Sequence, residues 1–157
     1  MTTLSDLYSA RIMELGASIE PARRLEHPDG TASAHSKLCG STIAVDLTLD
    51  GDRVSDYGQT VKACLLGQAS AAIMAQHIVG SSISELRDVA KVMRAMLKEN
   101  GPPPTGKWAD LAILEPVREV RARHTSTLLV FEAVDRAIDD VLAKRSTTPV
   151  VASASAG

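Results

Sequence analysis

The chain has 157 residues, of which 45% are apolar and 23% are charged, and its formal net charge is −2. These values predict one soluble domain that is large enough to bury a core. Aromatic residues make up only 3% of the chain and no basic stripe interleaves with them, which argues against a nucleic-acid-binding protein. No stretch approaches the roughly 18 apolar residues of a membrane span, so no membrane partner is predicted.

The number of cysteines and the N-terminal residues predict the compartment. Two cysteines are too few for the disulfide framework of a small secreted domain. Residues 1–15 contain an early acidic residue and no long apolar run, unlike a signal peptide. We therefore expect a cytoplasmic protein whose thiols stay reduced and free to bind a metal.

The first half of the chain predicts a helix followed by a β-hairpin. Apolar residues recur at helical spacing over residues 4–15, and the helix should end near Gly16. Residues 16–38 are rich in Gly, Pro, Ser and Asp and predict an irregular connection. Residues 42–49 then alternate between apolar and polar, and Asp50 with Gly51 marks a hairpin turn. The return strand, around residues 53–61, has a weaker pattern.

The second half predicts helices. Residues 64–79 are apolar on nearly all sides and indicate a buried helix, and residues 82–99 carry an amphipathic stripe that Asn100 and Gly101 should stop. A short helical or turn segment is expected in 111–120, and the last long helix over 126–145. The remaining residues, 146–157, are small and polar enough to predict a disordered tail. Strands grouped together and followed by helices indicate an α+β fold with one domain over residues 1–145.

The two cysteines are the first candidates for chemistry. Cys64 is predicted in the first turn of a helix, where free backbone N–H groups favour an anionic thiolate. Cys39 precedes a strand, and Gly40 after it permits close backbone approach to a bound group. Because a hairpin returns the chain to its starting end, the two thiols can meet in a shared metal site. The alternative is two ordinary buried thiols, since unbridged cysteines often act as small hydrophobic residues.

Histidines can complete such a site. His124, before the last helix, and His35, before Cys39, are the candidate third ligands, because imidazole completes many zinc sites that contain cysteine. For both, the alternative is a surface or capping role. The sequence contains no nucleotide-binding, metalloprotease or serine-hydrolase motif. Asp46, which belongs to a group of aspartates around the hairpin, is expected in a turn or solvent role.

In their order and spacing, these elements resemble the U-type iron–sulfur cluster assembly scaffold family (IscU, SufU and the N-terminal domain of NifU). The resemblance extends over about residues 4–142. It rests first on a Leu-Tyr helix start (7–12), on Cys-Gly-Ser where the family has Cys-Gly-Asp (39–41) and on an Asp-Gly turn (50–58). It rests further on a cysteine at a helix start (62–74) and on a final block that aligns without gaps (114–134).

The resemblance implies a small antiparallel sheet of about three strands, covered on one face by helices. The family holds a transient [2Fe–2S] cluster, iron or zinc through three cysteines and an acidic residue. Two of these carry over as Cys39 and Cys64, whereas the acidic position is Ser41 and the third cysteine is Ser126. Serine is a much poorer ligand than a thiolate for these metals. His124 is therefore predicted to replace the missing thiolate, with His35, Ser41 and Ser126 as weaker candidates.

The implied function is assembly or transfer of iron–sulfur clusters, as a scaffold or carrier and not as an enzyme. Its partners would be a cysteine desulfurase, which supplies sulfur as a persulfide, and apo-proteins that accept the cluster. Two alternatives stay open. The site can hold zinc alone, or the chain can keep the fold without metal and act as an interaction module. The sequence does not predict the oligomeric state.

Overall fold

The computed structural model describes residues 9–19, 21–37 and 40–156, and for 147–156 only the backbone is described. The first half of the chain forms helix α1 (Ala10–Ala17) and strands β1 (Gly30–His35), β2 (Thr42–Asp50) and β3 (Arg53–Lys62). The second half forms helices α2 (Leu65–His77) and α3 (Ile83–Lys98), a 3₁₀ segment (Gly106–Glu119), a 3₁₀ turn (Arg121–Arg123) and helix α4 (His124–Ala156).

The three strands form one antiparallel sheet in the order β1-β2-β3. Alternation along β2 places Ile43, Val45 and Leu47 on one face, and all three side chains are fully buried there. The turn between β2 and β3 has Gly51 at a φ of 65°, a conformation that glycine adopts at little cost. The hairpin, its turn and the three-stranded sheet that the sequence predicts are thus confirmed.

The first strand is a correction to the sequence prediction, which treats residues 16–38 as irregular. Residues Gly30–His35 instead pair with β2 from Gly30 opposite Leu47 to His35 opposite Thr42. The segment has no large apolar residue, so its own pattern is weak. It forms a strand because it lies between β2 and helix α4, which packs on it.

Helices α2, α3 and α4 supply the rest of the core. Helix α4 packs on β1 and β2 and also contacts α2 and α3. Ser82 caps α3 by accepting the N–H of Glu85, and Asn100 ends it at a φ of 54°. These helices follow the sequence prediction closely, and together with the sheet they confirm the α+β fold.

The chain between α3 and α4 is a long 3₁₀ segment rather than a short turn. Buried Trp108, Leu111, Leu114 and Val117 attach it to the core. Helix α4 continues through residues 146–156, where the sequence predicts a disordered tail. The side chains of 147–156 lie outside the description, so the division of the chain at 145 stays a prediction. Within the described part, no helix is long and apolar enough to cross a membrane.

Both outer edges of the sheet have hydrogen-bonding partners. On β1, the N–H of Thr31 donates to Asp140 and the carbonyl of Ser33 accepts from Arg136, two side chains of α4. On β3, the carbonyl of Gln59 accepts the N–H of Arg23, and Val54 pairs with the backbone of residues 80 and 81. Backbone N–H and C=O groups that already have partners are not available to pair with a strand of another protein.

Asp46 differs from its expected solvent role, because it is fully buried on the second face of the sheet. Its carboxylate accepts two hydrogen bonds from Arg24, at 2.7 and 3.0 Å, and others from the Thr31 hydroxyl and the Leu25 N–H. Burial alone would raise the pKa of Asp46, but these hydrogen bonds outweigh it and lower the pKa. The carboxylate thus fastens residues 24 and 25 to the sheet.

We expect Asp46→Asn to lower the free energy of unfolding by about 1–3 kcal/mol, because the buried acceptor of four hydrogen bonds loses its charge. A depressed pKa in the folded state stabilises the protein above the usual Asp pKa, and this contribution is lost as pH falls through the depressed value. Urea unfolding from pH 6 to pH 3 should therefore show a smaller loss in the variant than in the wild type. Asp56→Asn, which breaks an exposed pair with Arg23, is the control, and an equal cost there would contradict the assignment.

Candidate functional site

The β-sheet register brings the sequence-predicted elements to one end of the molecule. His35 lies opposite Thr42, and Thr42 lies opposite Lys62. The turn of residues 36–41 and the chain that leaves β3 toward Cys64 therefore start from the same end of the sheet. This placement agrees with the prediction that a strand-entry loop and a helix N-terminus converge.

Cys64 is the N-cap residue of α2, with φ −67° and ψ 171°. Its side chain makes no capping hydrogen bond and is partly exposed. The thiol instead donates to the hydroxyl of Ser126 at the start of α4, with 3.4 Å between Sγ and Oγ. The structure thus brings together two residues that are 62 positions apart in sequence.

Ser126 continues this contact into the backbone. Its side chain is buried, and its hydroxyl donates to the carbonyl of Arg123 over 3.2 Å. The same carbonyl accepts a second hydroxyl, that of Thr127, over 2.8 Å. The carbonyl of Arg123 therefore keeps a donor even if Ser126 turns its proton elsewhere.

Gly67 is the residue that allows α2 and α4 to approach here. A Cβ at this position would lie 2.8 Å from the Cβ of Ala63 and 3.1 Å from the carbonyl oxygen of Ser126. Neither neighbour can rotate away, since one is a methyl group and the other is backbone. The absence of a side chain at 67 thus allows the backbone of Ser126 to lie close to the start of α2.

His124 is buried as the first residue of α4. Its Nε2 lies 3.1 Å from the carbonyl oxygens of both Val117 and Arg118. Because both partners are acceptors, Nε2 must carry the proton, and Nδ1 is the only ring nitrogen that a metal could use. Side chains two positions apart on a helix point about 200° apart, so the ring and the Ser126 hydroxyl leave α4 on different sides.

The other predicted site residues belong to the connection between β1 and β2 or flank it in sequence. Of these, Cys39 lies outside the described residues. Its neighbour Gly40 has a φ of 71° and donates its N–H to the carbonyl of Ser36. Ser41 is buried and its carbonyl accepts the Ser36 N–H, while His35 is exposed with Nδ1 3.1 Å from the Thr42 hydroxyl.

The described donors alone do not make a metal site. Over residues 9–19, 21–37 and 40–156, no group of three or more His, Cys, Asp or Glu side chains is arranged to hold a metal ion. Cys64 is the one thiol in this part of the chain, and its nearest polar partner is a hydroxyl. A metal at this end would therefore need Cys39 or a donor from outside the described residues.

The surroundings of Cys64 favour negative charge. The first N–H groups of α2 have no partner within that helix, as at every helix start. Lys62, two residues before Cys64, is exposed, and within the described part of the chain it forms no ion pair. The start of α2 thus offers backbone N–H donors, with one positive charge close by in sequence.

The sequence analysis missed three members of this site: Gly67, Thr127 and the carbonyl of Arg123. Gly67 carries a readable signal, because a glycine in the first turn of an otherwise apolar helix often marks a close approach. The roles of Thr127 and of the carbonyl depend on how the 3₁₀ turn meets α4, and no residue pattern encodes that.

No model of a protein family matches the sequence. Among proteins of assigned function, the chain is 27% identical over 104 residues to the zinc-dependent sulfurtransferase SufU of Bacillus subtilis, covering 66% of this chain and 71% of that protein. It is also 21% identical over 136 residues to the iron–sulfur cluster assembly scaffold protein IscU of Thermotoga maritima, covering 86% and 94%.

Solved structures are similar over most of the chain. A crystal structure of a nitrogen-fixing NifU-like protein (N-terminal) from Brucella abortus is 46% identical with a TM-score of 0.88, covering 90% of this chain and 98% of that one. A putative SUF-system scaffold from Fervidobacterium islandicum is 19% identical with a TM-score of 0.78, covering 86% and 98%. At that identity the second likeness concerns the fold alone.

We expect Gly67→Ala to destabilise the protein by about 1–3 kcal/mol, the usual cost of overpacking a tight contact. Alanine is the better helix former by about 0.8–1.0 kcal/mol, so a loss of stability would show that the contact with Ala63 and Ser126 dominates. Thermal unfolding measures the change, and Gln76→Ala at an exposed position of α2 is the control. A stabilised Gly67→Ala protein would contradict the close approach.

Proposed function

Because the chain belongs to the U-type family of iron–sulfur cluster assembly scaffolds, with the NifU-like protein of Brucella abortus as a 46% identical relative, we propose that it assembles or carries iron–sulfur clusters. Its cargo would be a [2Fe–2S] cluster or its iron and sulfide components. Cys39 and Cys64 would hold that cargo as thiolates. The role is that of a carrier, in which each round ends when the cargo leaves.

The observation that supports this most directly is the position of Cys64. Its partly exposed thiol stands at the start of α2, at the same end of the sheet as the connection between β1 and β2. Thiolates are the preferred ligands of iron in such clusters, and the first backbone N–H groups of α2 have no partner within that helix. A thiol in this position can receive cargo without unfolding of the domain.

The donor set separates this chain from a site with three thiolates. Position 126 offers a hydroxyl, which binds iron or zinc far less well than a thiolate. The expectation that His124 supplies the third donor stays a prediction. Because Nε2 is hydrogen-bonded to two carbonyl oxygens, Nδ1 is the ring atom that would bind the metal. A cluster held by two protein thiolates would be completed by solvent or by a partner protein, which suits cargo that must be released.

The partners follow from the same proposal. Sulfur would arrive as a persulfide from a cysteine desulfurase, and the completed cluster would pass to an apo-protein. The Bacillus subtilis relative is named a zinc-dependent sulfurtransferase, and this favours zinc binding with sulfur transfer as a second candidate function. The two candidates differ in whether iron and sulfide accumulate together on the protein.

Anaerobic reconstitution tests the proposal. With ferrous iron, cysteine and a desulfurase, we expect the wild type to acquire iron and acid-labile sulfide in equal amounts, together with a visible chromophore. The cluster should then pass to an apo-ferredoxin. Cys39→Ser and Cys64→Ser should each abolish the chromophore, because each removes half of the thiolates. Sulfur uptake with zinc and without iron would support the second candidate, and full loading of both variants would exclude the shared site.

His124→Ala and Ser126→Ala test the third donor. Since the ring hydrogen-bonds Val117 and Arg118 on a different side of α4 from Cys64, we expect His124→Ala to cost about 1–3 kcal/mol of stability. Iron bound per folded protein should fall in this variant if Nδ1 is the third donor, and should stay unchanged if solvent or a partner completes the cluster. Metal content, measured on protein that circular dichroism shows to be folded, decides the matter. A fall in iron only with His124→Ala would make Nδ1 the third donor.

A further inference from the structure

We propose that Ser126 adapts Cys64 to carry a single sulfane sulfur atom, by donating a hydrogen bond to the Cys64 sulfur once the transferred atom has replaced the thiol proton. The inference deepens the proposed function and rests on it, because it names the form in which cargo first sits on this cysteine. Ser126 is in this account a positioning residue and not a metal ligand.

The geometry gives Ser126 two hydrogen-bonding arrangements. In the arrangement observed, the Cys64 thiol donates to Ser126 over 3.4 Å and the Ser126 hydroxyl donates to the Arg123 carbonyl over 3.2 Å. A hydroxyl has one proton and can rotate it. When a second sulfur atom is bonded to Cys64 in place of the thiol proton, the Cys64 sulfur can only accept, and the Ser126 proton can turn toward it.

Thr127 makes that rotation inexpensive. Leaving a partly buried carbonyl without a donor costs free energy, and this would hold the Ser126 proton on the Arg123 carbonyl. The Thr127 hydroxyl already donates to the same carbonyl over 2.8 Å, the shorter of the two bonds. The Ser126 proton is therefore free to turn to the Cys64 sulfur.

The transfer step balances without any outside oxidant or reductant. The Cys64 sulfur attacks the terminal sulfur of a persulfide donor, R–S–SH, where R–SH is the thiol of the donor. A new S–S bond forms at Cys64, and the S–S bond of the donor breaks. The donor leaves with the bonding electron pair and takes the proton lost by Cys64, so that the products are Cys64–S–SH and R–SH.

The surroundings of Ser126 distinguish this cargo from a metal ion. The hydroxyl is buried and held by the backbone, and the tight contact at Gly67 fixes the backbone of Ser126. A hydrogen-bond donor so placed stabilises a sulfur atom that has no proton of its own, whereas a thiolate in the same place would add a third metal ligand. Serine at 126 thus favours sulfur over metal at Cys64.

The test uses the Cys39→Ser protein, in which Cys64 is the only thiol, and cysteine persulfide as the sulfur donor. Intact mass spectrometry follows the gain and loss of one sulfur atom. Adding Ser126→Ala should shorten the persulfide half-life about tenfold, equivalent to about 1.4 kcal/mol for the loss of one hydrogen bond. Thr127→Val should shorten it less, because the Arg123 carbonyl then competes for the Ser126 proton.

Ser70→Ala is the matched control, since Ser70 is also buried and also donates to a helix carbonyl, that of Leu66. It should leave the half-life unchanged. Equal half-lives in the Ser126→Ala and parent proteins, or an equal loss in Ser70→Ala, would overturn the inference. Reconstitution with iron reports on the proposed function separately. Full iron and sulfide loading beside an unchanged half-life would refute only the role of Ser126.

Discussion

The close approach of α2 and α4 at Gly67 is the constraint on which the candidate site depends. Two helices with ordinary side chains at this point would stand farther apart, and Cys64 would have no contact with Ser126. The approach also joins distant parts of the chain, because α2 follows the last strand directly whereas α4 begins after the 3₁₀ segment. The chemistry at this end therefore exists only in the folded domain.

Much of the fold was predictable because local and tertiary preferences agree. The alternating residues of β2, the Asp50–Gly51 turn and the Ser82 cap each specify a local structure that the packed protein keeps. Strand β1 could not be predicted from its own residues, since Gly30–His35 contains nothing that favours a strand by itself. It pairs because β2 and α4 flank it in the folded protein. These tertiary contacts cannot be deduced from the residue pattern of the segment alone.

The candidate site likewise has parts that could be predicted from the sequence and parts that could not. The helix pattern was sufficient to place Cys64 near a helix start, and the hairpin was sufficient to bring the start of β2 and the end of β3 to one end of the sheet. The surroundings of His124 were not predictable, because the carbonyls of Val117 and Arg118 face it only after the 3₁₀ segment has packed on the core. Asp46 was misjudged for a similar reason, since Arg24 covers it from a segment without regular structure.

The satisfied edges of the sheet limit how another protein can bind. Many proteins are recognised when a partner adds a strand to an open sheet edge. Here side chains of α4 occupy groups on β1, and backbone from residues 23 and 80–81 occupies groups on β3. A partner would have to displace these bonds before it could extend the sheet. Docking through side chains and loops, such as those at the Cys64 end, requires no such exchange, and it can begin and end quickly.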